Sequence, residues 1–474
     1  MNEVSLEKRL SQYSGNFDFN DRIQELRSRG LADENVIYDL IVDEVESNRR
    51  RPKILKAEMY DKMNYMCRCY MDVTPRIRLD YDFVPNISAL KTAIICFLEK
   101  APVFHSRFID NHVVPYWRVC SYNIDEVLTV KDVENIEESA DEFMTKNIDI
   151  TGNVQIKFGV FISNGKCAIC ANWNHQCADG GDMKHILADI IMNYNAYSES
   201  ATSPLAYRTG TRSYSVVYDG FSAGDKRKAK TLFANVSTHD KHTLPFTNAA
   251  DGLKTHIVRC EIEDEILRSA KAVCKAVGAT VNDALSAAYI SAFYRYSGCT
   301  DGVGINCAVD LRRYIADIDK TGYTNHTTFM PCSVAGKHDS MKEMLIEVTG
   351  STKKAKRDPF MGLHGLPLLN IGYNCMIYAQ AELIIKAFYN NANLSVSNMG
   401  KLDADTLSLN GRRPNYALMA GAAKNKPCAL MSAITLGDTM TTTICIKGND
   451  EDKKIVADFL ALFKEEFTRL SRGE

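Results

Sequence analysis

The stretch from Val154 to Tyr194 constrains the fold more than any other part of the chain. Two apolar runs, Val154–Ile162 and Cys167–Trp173, are joined by Ser163-Asn164-Gly165-Lys166. Asn-Gly between such runs is a strong hairpin signal, because both residues accept the positive φ angles of a tight turn. A short polar loop follows. Met183, Ile186, Leu187, Ile190, Ile191 and Tyr194 then recur at helical spacing and form one apolar stripe. A hairpin that runs directly into an amphipathic helix predicts a sheet covered by helices.

The same grammar recurs elsewhere. Ile87–Leu98 reads as an apolar helix, and Val103–Phe108 and Tyr116–Val119 as strands around an Asp110-Asn111-His112 turn. The first ~55 residues are polar, helical in pattern, and end in Arg49-Arg50-Arg51-Pro52. Residues 197–250 turn rich in Ser, Thr, Gly and charge, which predicts a crossover linker. Beyond it, Thr255–Ile262 reads as a strand. A helix carrying Ile266, Leu267, Ala270, Val273, Cys274 and Val277 closes at Gly278. Thr280 and Asp283 suit the start of the next helix, with Asp in the usual place of Glu. Strands at Val303–Val309 and Asn393–Ser397, a hairpin at Gly437-Asp438 and a last amphipathic helix complete an α/β (α+β) pattern. The division this suggests is 1–200, a linker at 201–250, and 251–474.

Composition narrows the classes of function. With 57 Lys+Arg against 59 Asp+Glu, the chain lacks the basic excess of a nucleic-acid binder. An apolar content of 45% over 474 residues supports a large core and excludes disorder. No apolar run is long enough to span a bilayer. The N-terminal residues show no signal-peptide pattern. Fifteen cysteines, an odd number, read as reduced thiols of a cytoplasmic protein. No phosphate-loop or dinucleotide-binding glycine string is present.

Chemistry concentrates in Asn174-His175-Gln176-Cys177-Ala178-Asp179-Gly180-Gly181. A strand runs in and a helix runs out, so His175 stands at a strand end, where loops display catalytic groups. Imidazole is the side chain best suited to take a proton near neutral pH. Asp179 can fold back to fix the loop, and the glycines permit positive φ and close backbone approach. The second His-x-x-x-Asp string, His185 to Asp189, lies on the following helix without glycine and reads as an exposed i,i+4 pair.

Other assignments for these residues are weaker. Cys167, Cys170 and His175 match the first three positions of a zinc knuckle, but the fourth falls on Gly180. Cys167 and Cys170 also point to opposite faces of a strand. No metal site is expected. Cys67-Arg68-Cys69 reads as packing. The basic runs Lys226–Lys230 and Lys353–Arg357 read as solvated surface.

His175-x-x-x-Asp179-Gly180, near the end of the first half of a two-part chain, resembles the active-site motif of the chloramphenicol acetyltransferase-like acyltransferases. That superfamily includes the plant BAHD enzymes, alcohol acetyltransferases and condensation domains. Companion segments resemble its other signatures in order. They are Ala101-Pro-Val-Phe-His-Ser-Arg-Phe108, Gly278–Ala288, Val309-Asp310-Leu311-Arg312-Arg313, Gly322-Tyr323-Thr324-Asn325 and Ser397-Asn398-Met399-Gly400. Asn174 stands where condensation domains usually carry a first histidine, no Asp-Phe-Gly-Trp-Gly string occurs, and His105 replaces a usual arginine.

The resemblance implies two acetyltransferase-like sandwiches with a tunnel between them, and direct acyl transfer without an acyl-enzyme. His175 would be the general base. Asp179 would be structural, in a bidentate pair with Arg312, with Arg107 second in line. Gly180 would give the backbone room, and Asn325, Ser397 and Asn398 are candidates for oxyanion or substrate contacts. No cofactor would be held tightly. Acyl-CoA would be co-substrate to a monomeric enzyme acting on a small-molecule hydroxyl or amine. A carrier-protein-bound donor, or an inactive relative serving as a binding module, are the alternatives.

Overall fold

A computed structural model of the chain describes residues 5–13, 18–46, 53–199, 207–231, 240–388 and 391–474. The Arg49–Pro52 run and part of the 201–250 linker lie outside the described residues. The central hairpin forms from Ile156–Ser163 and Lys166–Trp173, with Asn164 at φ +50° and Gly165 at φ +73° making the turn. Both residues adopt the left-handed backbone that matches the twist of the flanking strands.

The hairpin sits inside a five-stranded sheet. In spatial order its strands are Tyr416–Ala420, Arg76–Tyr81, Lys166–Trp173, Ile156–Ser163 and Leu128–Asp132. Neighbours run antiparallel except the last pair. One face packs on the helices Ile87–Lys100 and Gly180–Ser198, whose apolar stripe from Met183 to Tyr194 is buried as predicted. The other face packs on Ile136–Met144. Cys167 belongs to the first core and Cys170 to the second, so the two thiols do face opposite ways. A three-stranded sheet of Ile54–Lys56, Tyr116–Val119 and Ser106–Ile109 lies beside them. The strand expected from Val103 starts later, because Pro102–His105 forms a 3-10 turn. A proline at its head has no N–H to give to a sheet ladder.

The C-terminal sheet has seven strands. Six follow the order Thr327–Val334, Val303–Asp310, Leu394–Leu402, Ala429–Leu436, Thr439–Gly448 and Lys424–Asn425, and Lys254–Ile262 pairs with Thr439–Gly448. Helices Asp264–Val277, Val281–Ser297, Met341–Lys356 and Asp450–Ser471 cover one side of it. Gly278 ends the first of them at φ +66°, and Thr280 and Asp283 form a reciprocal capping box at the start of the second. The molecule is thus an α/β structure of two helix-covered sheets.

The two sheets exchange chain. Tyr416–Ala420 comes from the C-terminal half of the sequence, yet it completes the N-terminal sheet beside Arg76–Tyr81. Residues 421–428 return at once to the C-terminal sheet through Lys424–Asn425. A boundary drawn at 251 does not separate the sheets, because register and hydrogen bonding across Arg76–Tyr81 place that strand with the other half. Of the described residues, no helix is long and apolar enough to cross a membrane.

Candidate functional site

Trp173 is the last residue of its strand, and the next six residues are held by a dense set of hydrogen bonds. The Asn174 N–H donates to the Gln155 carbonyl at 2.8 Å, and the Asn174 side chain donates to the Gln155 side chain at 2.7 Å. The Gln176 N–H closes back on the Asn174 side chain at 2.9 Å. His175 N–H donates to the Val73 carbonyl at 2.9 Å. Most polar backbone groups here have a partner, which limits the conformations open to the loop.

The His175 ring is half-buried. Its Nδ1 lies 3.2 Å from the Ala178 carbonyl and 3.2 Å from the Asn325 amide nitrogen. The two contacts are alternatives. A proton on Nδ1 goes to the carbonyl and leaves the lone pair on Nε2; a proton on Nε2 lets Nδ1 accept from Asn325. Ala178 O also accepts from the Trp173 indole at 3.0 Å, which fixes it in place. Burial lowers the pKa of His175, with the Asp179 carboxylate opposing and the Lys424 ammonium adding to the effect. The ring is therefore neutral at physiological pH, as a proton acceptor must be.

Asp179 is fully buried and caps the helix Gly180–Ser198 by accepting from Asp182 N–H at 2.9 Å. Its other oxygen accepts from His326 N–H at 2.7 Å, Thr327 Oγ1 at 2.9 Å and Arg312 Nη1 at 3.0 Å. Burial alone would raise its pKa. The Arg312 charge and these hydrogen bonds outweigh that and hold the carboxyl well below the usual carboxylate range. Arg312 does not grip Asp179 bidentately, because its Nη2 reaches Asp182 Oδ1 at 2.9 Å instead. One guanidinium bridges two buried carboxylates. Arg208 meets the same Asp182 oxygen at 2.8 Å. Arg107 is exposed and bonds to Asn153, so it takes no part.

The glycines are placed differently from expectation. Neither Gly180 nor Gly181 has a positive φ, since both lie in the first turn of the helix. A Cβ on Gly180 would meet Met419 and Met399 side chains at 3.1 and 3.2 Å, whereas a Cβ on Gly181 would lie 2.8 Å from Arg312 Nη1. Gly181 is the residue that leaves room for the arginine.

Asn325 is brought to the ring, and its Oδ1 is occupied by Thr327 N–H at 2.8 Å. Ser397 and Asn398 lie on the strand Leu394–Leu402 in the other half. Asn398 donates to Asn282 at 2.5 Å and accepts from Gly400 N–H at 2.8 Å, so both ends of its amide are engaged. His185 is exposed, but Asp189 accepts from Tyr323 at 2.6 Å in place of the expected i,i+4 pair.

Several supporting residues carry no motif. Arg212 holds Asp61 through both carboxylate oxygens at 2.9 Å and donates to the Tyr323 and Gln176 carbonyls. Trp117 donates to the same Asp61 at 2.8 Å, and Gln176 donates to the Asp61 carbonyl at 2.9 Å. Arg208 and Arg212 belong to the stretch that composition marks as linker. Their only sequence signal is arginine recurring in an otherwise uncharged Ser/Thr segment.

Solved structures match the fold along most of the chain. The first condensation domain of the calcium-dependent antibiotic synthetase, in complex with a substrate analogue, superposes with a TM-score of 0.65 at 12% identity, covering 88% of this chain and 97% of that one. The condensation domain from the Monacolin K polyketide synthase MokA gives 0.62 at 11% identity, covering 88% and 97%. TRI3, the trichothecene 15-O-acetyltransferase from Fusarium sporotrichioides, gives 0.62 at 12% identity, covering 87% and 94%. No protein-family model and no curated protein matches the sequence. The chain therefore shares the two-part fold of these condensation domains and of TRI3.

Proposed function

We propose that this chain is an acyltransferase that moves an acyl group from a thioester, acyl-CoA in the first instance, to a hydroxyl or amine, with His175 as general base. The observation that supports this most is the placement of the ring: half-buried at a strand end, with its backbone N–H on Val73 and its Nδ1 on the Ala178 carbonyl, where burial lowers its pKa. With Nδ1–H on the Ala178 carbonyl, Nε2 takes the proton of the acceptor as its oxygen or nitrogen attacks the thioester carbonyl. The tetrahedral intermediate collapses, the C–S bond breaks, and the imidazolium returns its proton to the departing thiolate. No acyl-enzyme forms, and a base of this kind contributes about 10²–10⁴-fold. Ser397, two residues before the Met399 that lies against Gly180, is the group we assign to the oxyanion.

The test uses the full chain, a panel of small alcohols and amines, and two donors: acetyl-CoA and an acyl thioester on a carrier protein. Thiol release from acetyl-CoA that His175→Ala abolishes supports the reading. Transfer from the carrier-bound donor alone moves the donor assignment to a carrier protein. Equal behaviour of His175→Ala and wild type with both donors overturns it.

A further inference from the structure

Far from His175, at the start of the strand Val303–Asp310, a second cluster of chemistry-bearing side chains converges. His242, Cys299 and Asp301 place one ligand atom each within 4.8 Å of one another. His242 comes from the segment that leads into Lys254–Ile262, and the other two from the loop that follows Gly298, the C-cap of Val281–Ser297. We propose that these three side chains form a zinc site, a clip that ties the segment after the crossover to the C-terminal sheet.

Geometry supports the choice of metal. His242 Nε2 lies 3.3 Å from Asp301 Oδ2. Zinc binds imidazole nitrogen and carboxylate oxygen at about 2.0–2.2 Å, and the N···O edge of such a tetrahedron is about 3.3–3.5 Å. Two of the three ligands thus already stand at tetrahedral spacing. Nitrogen, sulfur and oxygen in one site suit borderline zinc rather than calcium or magnesium, which take oxygen.

Each ligand also has a partner that orients it. His242 Nδ1 is 2.8 Å from Asp240 Oδ1, while Asp240 Oδ2 accepts from Gly304 N–H at 2.7 Å. A carboxylate on the far ring nitrogen turns Nε2 towards the metal and makes it more basic. The Ser297 hydroxyl lies 2.8 Å from the Phe293 carbonyl and 3.2 Å from Cys299 Sγ, so its one proton can turn from the carbonyl to the sulfur when a metal binds there. Tyr294 donates to the Asp301 carbonyl at 2.8 Å and pins that backbone, and Phe293 packs edge-on against the His242 ring. Binding releases the Cys299 thiol proton, and any proton on His242 Nε2, to solvent. Asp301 is exposed, so solvent reaches the site and water would take the fourth position.

The rival arrangement has no metal, with a protonated His242 paired to Asp240 and Asp301. Co²⁺ and Zn²⁺ added to the tag-free, reduced full chain decide between them. The site predicts a thiolate-to-cobalt charge-transfer band with tetrahedral d–d bands, erased by equimolar Zn²⁺, and a thermal midpoint raised by Zn²⁺. Cys299→Ser should lose the charge-transfer band and the Zn²⁺-dependent shift. Asp240→Asn should weaken Zn²⁺ binding about 10–100-fold. Asp301→Asn, at an exposed position, repeats the test if Cys299→Ser does not fold. Absence of the band in wild type, or its persistence in Cys299→Ser through other thiols such as exposed Cys69 and Cys375, overturns the proposal. The readout is independent of acyl transfer, so it stands or falls apart from the role of His175.

Discussion

The carbonyl that accepts the backbone N–H of His175 belongs to Val73, and Val73 stands at φ +54°. A β-branched residue in left-handed backbone is an outlier that costs about 1–3 kcal/mol and persists only where its surroundings over-determine it. Val73 is buried and packs with Cys67, Met71 and Ala422, next to the strand Arg76–Tyr81. The strain thus lies in the segment that fixes the height of the candidate base.

Val73→Gly should therefore be cheaper than its burial suggests. Glycine loses the apolar contact but relieves the backbone. Val160→Gly, at an equally buried position on the unstrained strand Ile156–Ser163, loses the contact and gains nothing. The thermal midpoint of Val160→Gly should fall clearly further than that of Val73→Gly, a gap of at least about 1 kcal/mol. Equal losses would show that Val73 carries no strain.

The acid limb of activity should report His175. Burial lowers its pKa, so the base stays neutral below pH 6.5, the usual histidine value, and kcat/KM should lose half its value at a pH lower than that. Lys424, whose ammonium lies 3.1 Å from Met71 Sδ, pushes the same way. Lys424→Met should move the acid limb upward. The sign for stability follows from linkage. Folding depresses this pKa, so the unfolded chain binds the extra proton, and the histidine costs stability as pH falls below about 6.5 towards the folded value. A pH–rate profile of wild type and Lys424→Met, with His175→Ala as baseline, checks both direction and assignment.

Arg312 should matter more to folding than a surface arginine. Removing it leaves Asp179 and Asp182 buried without their shared cation. Arg312→Met should cost about 3–5 kcal/mol, the range for breaking a buried pair from one side. Burial pushes Asp182 up to about 6 even with Arg312 and Arg208 present, so losing Arg312 should lead it to take up a proton near neutral pH. Arg312→Lys should rescue only part of the loss, because one ammonium cannot span two carboxylates as a planar guanidinium does. Chemical denaturation of the three proteins measures this.

What could be read from the sequence was local. The Asn164-Gly165 turn, the Met183–Tyr194 stripe, the Gly278 cap and the Thr280–Asp283 box are each specified within a dozen residues, and each formed. His175, Asp179 and Arg312 came from a motif and its companions, and the structure joins Asp179 to Arg312 across 133 positions. Long-range geometry was not legible. Nothing in Tyr416–Ala420 says that it pairs with Arg76–Tyr81, since an apolar strand fits either sheet. Asp61, Arg208 and Arg212 sit in polar segments whose burial depends on what folds over them. The exchange of Gly181 for Gly180 as the constrained glycine depends on where a side chain 131 positions away comes to rest.

That exchange gives the sharpest test of the loop. Alanine at Gly180 would place a methyl against the flexible thioethers of Met419 and Met399, which can move by a few tenths of an ångström. It also gains helix propensity of about 1 kcal/mol, so Gly180→Ala should fold as well as wild type or better. Alanine at Gly181 gains the same propensity but drives its methyl to 2.8 Å from Arg312 Nη1 and 3.2 Å from Asp179 Oδ1. The guanidinium must retreat from one of the two carboxylates it bridges, and the helix start that carries Asp179 shifts with it. Gly181→Ala should therefore lower both thermal midpoint and acyl-transfer rate. Thermal scans and initial rates on the two single variants and the double variant separate the sites. If Gly180→Ala is the more damaging of the two, the close approach of Arg312 does not govern this turn.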